Sequence, residues 1–193
     1  MKFAYADPPY PGQAKKWYRD HPDYAGEVDH AELIHQLNTG YPDGWALSTS
    51  GTALQSVLAL CPPDVEIGIW HVTNAQYNGT GNKIWRTYEP VIFRGGRADG
   101  NVVRNLVACG QIGGLGATIA GQKPPPFCHW LFRMLGAQYR DTMTDLFPGS
   151  GAVGQEWEMY CRGLRIQPEI GRWARDARYH DRAVKRDCDQ LFT

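Results

Sequence analysis

The 193-residue sequence lacks any long apolar run. No hydrophobic stretch approaches the ~18 residues that a membrane-spanning helix needs. The first residues, MKFAYADPPY, have neither the apolar region nor the small-residue cleavage site of a signal peptide. The formal net charge is zero, so any contact with nucleic acid must depend on local basic patches. We therefore expect one cytoplasmic domain spanning residues 1–193, with no membrane partner.

Cysteine and histidine are few and follow no ligand pattern. The five cysteines include no CxxC pair, and the six histidines show no HExxH spacing. These absences argue against a disulfide framework and a structural zinc site, and we predict no metal. Free thiols are usually buried or incidental, which is the interpretation we give to Cys61, Cys109, Cys128, Cys161 and Cys188.

Short apolar runs alternate with segments of helical periodicity along the chain. Such an alternation predicts the doubly wound α/β class, with a mostly parallel sheet covered on both faces. The predicted strands are 3–6, 45–49, 65–72, 89–93 and 142–147, and the predicted helices are 28–37, with Asp29 as a cap, 52–60, 127–135 and 152–160.

Two unusual loops follow predicted strands. The first is Asp7-Pro8-Pro9-Tyr10, and the second is DLFPGSG at residues 145–151, which leads into a helix. In this fold class ligands bind beyond the carboxyl ends of the strands. Glycines let the backbone approach a ligand closely, and the following helix presents free N–H groups. The two loops are therefore the candidate site.

The second loop allows other interpretations. Residues 149–154 also satisfy the GxGxxG fingerprint of dinucleotide-binding proteins. A lone fingerprint is weak evidence, and no clean carboxylate lies about 20 residues further on. An NAD-dependent oxidoreductase is therefore one alternative, although it leaves DPPY unexplained. An ordinary glycine turn into a helix is another.

In their order along the chain, these motifs resemble one family. DPPY near the start, followed by WALST, IGIWHV, YEPVIF, Gln122-Lys123-Pro124 and DLFPGSG, resembles the S-adenosylmethionine-dependent amino-methyltransferases of nucleobases. Because DPPY precedes the glycine loop, the order is similar to the circularly permuted beta class. The resemblance extends to about residue 170. Aspartate at the head of DPPY resembles the adenine-N6 enzymes more than the cytosine-N4 enzymes.

The resemblance implies a Rossmann-like DNA adenine-N6 methyltransferase that uses S-adenosylmethionine. The Asp7 carboxylate and the Pro8 carbonyl would hold the amine hydrogens and stabilise the charge that grows on nitrogen. Tyr10 would stack on a base turned out of the duplex. The implied catalytic motif is Asp7, Pro8, Pro9 and Tyr10, and the implied cofactor-binding residues are Asp145, Phe147, Gly149, Ser150, Gly151, Lys123 and Pro124.

Target recognition has less sequence available than in beta-class relatives. Residues 94–121 are too few for a separate recognition domain, so segments 74–88 and 94–121 are predicted to be target-facing loops. A homodimer or loose specificity would be consistent with this shortage. The predicted substrate contacts are Trp17, Asn82, Lys83, Arg86, Arg94 and Arg97, with DNA the expected polymer.

A catalytically silent, nucleic-acid-binding or partner subunit is the main alternative. The family's ribose-binding carboxylate has no clear counterpart, since Arg165 or Gln167 lies near its position and Glu169 follows. The intact DPPY argues against this alternative. Residues 171–193 are strongly charged and are predicted to form a C-terminal helix or tail.

Overall fold

The computed structural model describes residues 1–12, 26–75, 84–112 and 122–166. In these ranges strands and helices alternate along most of the chain. The strands are β1 (Lys2–Ala6), β2 (Gly44–Ser48), β3 (Glu66–Val72), β4 (Tyr88–Gly95), β5 (Leu106–Cys109) and β6 (Thr142–Asp145). The helices are α1 (His30–Gly40), α2 (Leu54–Leu58), α3 (Pro125–Met134) and α4 (Ala152–Ile166).

The six strands form one sheet in the order β5-β3-β4-β2-β1-β6. Strand β1 is parallel to both β2 and β6, and β3 is parallel to β5. Strand β4 is antiparallel to its neighbours β2 and β3. Five strands therefore run in one direction and one runs against them, which confirms the predicted mostly parallel α/β sheet.

Strand β1 is the second strand from one end of the sheet, between β2 and β6, and it is buried on both faces. Phe3 and Tyr5 pack on one face with residues of α3 and α4, whereas Ala4 and Ala6 pack on the other with residues of α1 and α2. Alternate residues of a strand point to opposite faces, so a strand covered on both sides is apolar throughout. The helices thus form a layer on each face.

Most predicted elements are confirmed, with changes at their ends. Asp29 caps α1, where its side chain accepts hydrogen bonds from the backbone N–H groups of Ala31 and Glu32. Strand β6 ends at Asp145, two residues before the predicted end, because the chain turns there toward α4. Helix α4 extends beyond the predicted residue 160 to Ile166.

Strand β5 was not predicted. It lies inside the segment 94–121, which was predicted to be a loop, and that prediction is wrong for Leu106–Cys109. This strand has only four residues, and Leu106 is exposed. So short a run carries little periodic signal, and β5 forms because it pairs with the free edge of β3.

Within the described residues, no helix is both long and apolar enough to cross a membrane. Among the cysteines, Cys128 is buried, and Cys61, Cys109 and Cys161 are half-buried. Cys188 lies outside the described residues.

Gly68 offers a test of how tightly the sheet packs on α3. A Cβ atom there would lie 2.7 Å from the Trp130 ring and 2.8 Å from the Phe93 ring. We expect Gly68→Ala to lower the free energy of unfolding by ~1–3 kcal/mol, since neither buried ring has room to move. Chemical denaturation measures this change.

The matched control is Gly40→Ala at the end of α1, where an added Cβ meets nothing within 4 Å. Its stability should equal or slightly exceed that of the unmodified protein. If both variants unfolded at the same denaturant concentration, the described packing around Gly68 would be incorrect.

Candidate active site

The two candidate loops lie side by side at the carboxyl edge of the sheet. Tyr5 of β1 pairs with Asp145 of β6, and the Leu146 N–H donates to the Tyr5 carbonyl at 2.9 Å. The chain leaves β1 toward β2 on one side, while β6 lies on the other. A crevice at such a reversal of strand order is where doubly wound sheets bind ligands. Asp7 and Asp145 therefore flank one cleft.

Both ends of the DPPY loop are connected to Glu89 of β4, one of them through Lys123. The Lys123 ammonium lies 2.9 Å from Asp7 Oδ2 and 3.3 Å from Glu89 Oε2. The Tyr10 hydroxyl donates to the same Glu89 oxygen at 3.0 Å. Asp7 and Tyr10, the first and last residues of the motif, are thus both connected to Glu89, one through Lys123 and one directly.

Lys123 is the buried member of this network. Its side chain is 6% exposed, whereas those of Asp7 and Glu89 are each 24% exposed. Burial lowers the pKa of Lys123, but the two carboxylates more than offset that effect and hold the pKa above its ordinary value. Lys123 is therefore a cation at neutral pH, as a buried lysine with two acidic partners should be.

Asp7 experiences opposing influences on its ionisation. Burial raises the pKa of Asp7, the Lys123 ammonium lowers it, and the Glu89 carboxylate raises it, with a net shift upward. Beneath it, the buried Tyr5 hydroxyl shares a 2.8 Å hydrogen bond with the Ser48 hydroxyl. Burial first, and then the Asp7 charge, raise the pKa of Tyr5, so Tyr5 stays neutral next to the carboxylate.

Asp145 begins the second loop. One of its oxygens accepts a hydrogen bond from the Phe147 N–H at 3.2 Å. The net pKa of Asp145 is raised to about 6: burial is the main cause and the Asp7 charge adds to it, while the Phe147 N–H and Lys123 lower it. In the described part of the chain, the cleft thus holds three carboxyl groups, those of Asp7, Glu89 and Asp145, and the ammonium of Lys123.

The glycine turn after β6 has the backbone that its residues predict. Gly149 and Gly151 have positive φ angles of 47° and 73°, a region that other residues rarely adopt. The Gly151 N–H closes the turn on the Pro148 carbonyl at 2.7 Å, and α4 begins at the next residue. Ser150 is half-buried, and Phe147 packs against the α1 and α2 side of the core.

Gly154 argues against the dinucleotide fingerprint. In that motif the third glycine is needed because the helix packs closely on the strand. A Cβ on Gly154 would meet nothing within 4 Å, and the residue is exposed. The turn therefore needs Gly149 and Gly151 but has no packing reason for a third glycine.

The predicted substrate contacts separate into three groups. Arg86 is exposed and precedes β4. The carbonyl of the next residue, Thr87, accepts a hydrogen bond from the Val72 N–H at the carboxyl end of β3. Arg86 therefore lies at the edge of the sheet that holds Asp7. Arg94 and Arg97 lie at the opposite edge, which corrects their predicted place beside the site. Trp17, Asn82 and Lys83 lie outside the described residues.

Ion pairs explain the position of Arg94 and Arg97. Arg94 Nε lies 2.9 Å from Asp64, and Arg97 Nη2 lies 2.8 Å from Asp141, which also binds the Met1 amino group. Arg94 is the last residue but one of the antiparallel strand β4, and Arg97 follows that strand, whose end lies beside the amino end of β2. These two ion pairs lie at the edge of the sheet opposite the cleft, so neither arginine lines the cleft.

Glu89 is a site residue that was not predicted from the sequence, and Lys123 was predicted to have a different role. The resemblance implies that Lys123 and Pro124 bind the cofactor, but the Lys123 ammonium contacts two carboxylates. The sequence assigned Glu89 only to a strand, although an acidic residue directly before a buried apolar run was a usable signal. Pro124 is buried and caps the start of α3.

Three residues were predicted near the ribose-binding position of the family. The side chain of Arg165 and all of Gln167 and Glu169 lie outside the described part of the chain, as does the segment 171–193.

Comparison with known proteins identifies the fold. No protein-family model and no curated protein matches the sequence. Solved structures do match, among them the crystal structure of the M1.HpyAVI–SAM complex, with a TM-score of 0.56 and 12% sequence identity. The match covers 83% of this chain and 78% of that chain. The likeness confirms the predicted Rossmann-like α/β fold.

The raised pKa of Asp145 gives a prediction for stability against pH. Between its ordinary value of 3.8 and about 6, the folded protein holds a proton that the unfolded chain has lost. Stability should therefore fall as pH rises through that window. Asp145→Asn keeps an oxygen for the Phe147 N–H but cannot ionise. We expect its melting temperature to exceed that of the unmodified protein at about pH 7.5, with the difference vanishing near pH 4.

Asp64→Asn is the matched control, because Asp64 is exposed and its hydrogen bond from Arg94 lowers its pKa. This variant should gain no stability at neutral pH. An Asp145→Asn protein that melted at or below the temperature of the unmodified protein at pH 7.5 would contradict the assigned burial of the carboxyl group.

Proposed function

We propose that this protein transfers a methyl group from S-adenosylmethionine to the exocyclic N6 amine of adenine in DNA. One observation carries the proposal: a partly exposed carboxylate, Asp7, is held at the end of β1 directly beside the glycine turn that follows β6. A fold shared with the M1.HpyAVI–SAM complex supports it.

The proposed chemistry needs hydrogen-bond acceptors held in place. The lone pair of an exocyclic adenine amine is delocalised into the ring, so the nitrogen must become tetrahedral before it can attack a methyl group. The ionised Asp7 carboxylate and the Pro8 carbonyl would accept the two amine hydrogens and stabilise the positive charge on nitrogen. The two prolines and the connections to Glu89 keep these acceptors fixed.

The residues after β6 fit the proposed cofactor. Gly149 and Gly151 leave the turn open to a ligand, and the first turn of α4 presents N–H groups without intrahelical partners. Asp145, Phe147 and Ser150 surround that turn. When bound, S-adenosylmethionine supplies an electrophilic methyl group on a sulfonium centre. The cationic sulfonium is compatible with a cleft that has more carboxylates than ammonium groups.

Tyr10 and Arg86 provide candidate contacts to the nucleic acid. An adenine in a duplex must leave its stack before its amine can react, and Tyr10 offers an aromatic face to the displaced base. The hydrogen bond from Tyr10 to Glu89 fixes the orientation of that ring. Arg86 is exposed on the same edge and could contact a phosphate. Asn82, Lys83 and Trp17 remain predictions from the sequence.

A transfer assay tests the proposal directly. The protein is incubated with S-adenosylmethionine carrying a labelled methyl group and with unmodified single-stranded or double-stranded DNA. The DNA is then digested to nucleosides for mass spectrometry. Labelled N6-methyladenine is the expected product. If no methylated nucleoside forms although calorimetry shows that the cofactor binds, the DNA proposal is wrong, and RNA becomes the next substrate to test. Absence of cofactor binding would favour the silent-subunit alternative.

Asp7→Asn tests the role of the carboxylate. The amide is nearly isosteric but uncharged, so it should stabilise the developing positive charge poorly. We expect the rate of methyl transfer to fall by about 100-fold or more. The affinity for S-adenosylmethionine, measured by calorimetry, should change little.

Asp64→Asn, at the opposite edge of the sheet, is the control and should keep full activity. Turnover by Asp7→Asn equal to that of the unmodified protein would show that the reaction does not use this carboxylate.

A further inference from the structure

We propose that Lys123 and Glu89 are positioning residues, with Lys123 holding Asp7 until a substrate amine arrives and then shifting its hydrogen bond to Glu89. This inference rests on the proposed function and deepens it. It assigns two residues a role in preparing the acceptor, whereas the resemblance places Lys123 with the cofactor and assigns no role to Glu89.

Lys123 lies where a substrate amine would need to donate. Its ammonium is 2.9 Å from Asp7 Oδ2, so one lone pair of that oxygen is occupied. An incoming amine must use the remaining lone pairs or displace the ammonium. Since an ammonium has three hydrogens, a second acceptor nearby lets it give up Asp7 without losing every partner.

Glu89 supplies that second acceptor. Its Oε2 atom lies 3.3 Å from the ammonium, close enough to contact it already in this structure. The same oxygen accepts the Tyr10 hydroxyl at 3.0 Å. A shift of Lys123 toward Glu89 therefore needs no movement of the backbone, and it leaves Tyr10 in place to meet the base.

Two aromatic rings limit where the ammonium can go. It lies 5.2 Å from the centre of the Trp70 ring and 5.6 Å from that of Phe127. Both rings are buried, so they form fixed walls, and their faces attract the cation. With the side chain only 6% exposed, a shift along the line between Asp7 and Glu89 keeps the ammonium in contact with an acidic partner.

The charges around Asp7 allow the proposal to be tested by the titration of Asp7. Lys123 favours the ionised form of Asp7, and Glu89 opposes it. Among the residues that the structure describes, Tyr5 on β1, Tyr10 in the loop and Asp145 on β6 are the other titratable groups near it. All three remain when Lys123 or Glu89 is changed. The two substitutions should thus shift the titration of Asp7 in opposite directions.

The experiment compares Lys123→Met and Glu89→Gln in the full-length protein. Nuclear magnetic resonance of side-chain carboxyl carbons follows the titration of Asp7, assigned by the signal that Asp7→Asn removes. We expect the midpoint to move to higher pH in Lys123→Met and to lower pH in Glu89→Gln. This measurement needs neither cofactor nor DNA.

Methyl transfer is then measured against pH for the same proteins. Ionised Asp7 is required, so activity is lost as pH falls through its pKa. In Lys123→Met the loss of activity should begin at higher pH. The ratio of turnover near pH 6 to turnover at the alkaline plateau should fall about tenfold relative to the unmodified protein. In Glu89→Gln the acid limb should move to lower pH, and the plateau should fall, because the ammonium has lost its alternative charged partner.

Controls separate positioning from folding. Lys2→Met and Glu66→Gln change an exposed lysine and an exposed glutamate at the opposite edge, and neither should alter the Asp7 titration or the pH profile. Lys123→Arg keeps a buried cation and should restore the acid limb of Lys123→Met toward its original position. Melting curves establish that each variant is folded at the pH of the assay.

Different results would contradict the proposed function and the present inference. Absence of methyl transfer by the unmodified protein on DNA would overturn the proposed function, whatever the titrations show. An Asp7 midpoint that both variants leave unchanged would overturn the present inference even in an active enzyme. Shifted midpoints with unshifted pH profiles would also overturn it, since Lys123 and Glu89 would then support the fold alone.

Discussion

The ammonium of Lys123, buried between Asp7 and Glu89, is the interaction on which the candidate site depends. It connects three separate parts of the chain: the loop after β1, the start of β4 and the segment before α3. A buried cation of this kind is tolerated only while it keeps an acidic partner. The DPPY loop therefore has a fixed position relative to the sheet, and Asp7 faces the cleft with its charge partly balanced.

The topology of the sheet explains why the cleft lies at this edge. Parallel pairing of β1 with β6 brings Asp7 and Asp145 together although they are far apart in the sequence. The antiparallel strand β4 begins at the carboxyl edge, which is how Glu89 reaches the same cleft. That direction also carries Arg94 and Arg97 to the far edge, where they bind Asp64 and Asp141.

The sequence predicted those parts of the fold that depend on local pattern. Apolar runs, turn residues and the Asp29 cap located the main strands and helices, and the positive φ angles of Gly149 and Gly151 confirm the turn. It missed β5, which exists because an edge of β3 was free to pair. It also missed the partnership of Lys123 with Glu89, since contacts between residues distant in sequence leave no periodic signal.

A crystal structure of the protein with S-adenosylmethionine would test the central claim, that Asp7 and the turn after β6 form one reaction site. The account predicts that the cofactor lies on the turn at Gly149 and Gly151. Its sulfonium methyl group should point toward the Asp7 carboxylate, with room between them for an amine. A cofactor bound elsewhere, or bound on this turn with its methyl group directed away from Asp7, would contradict the account.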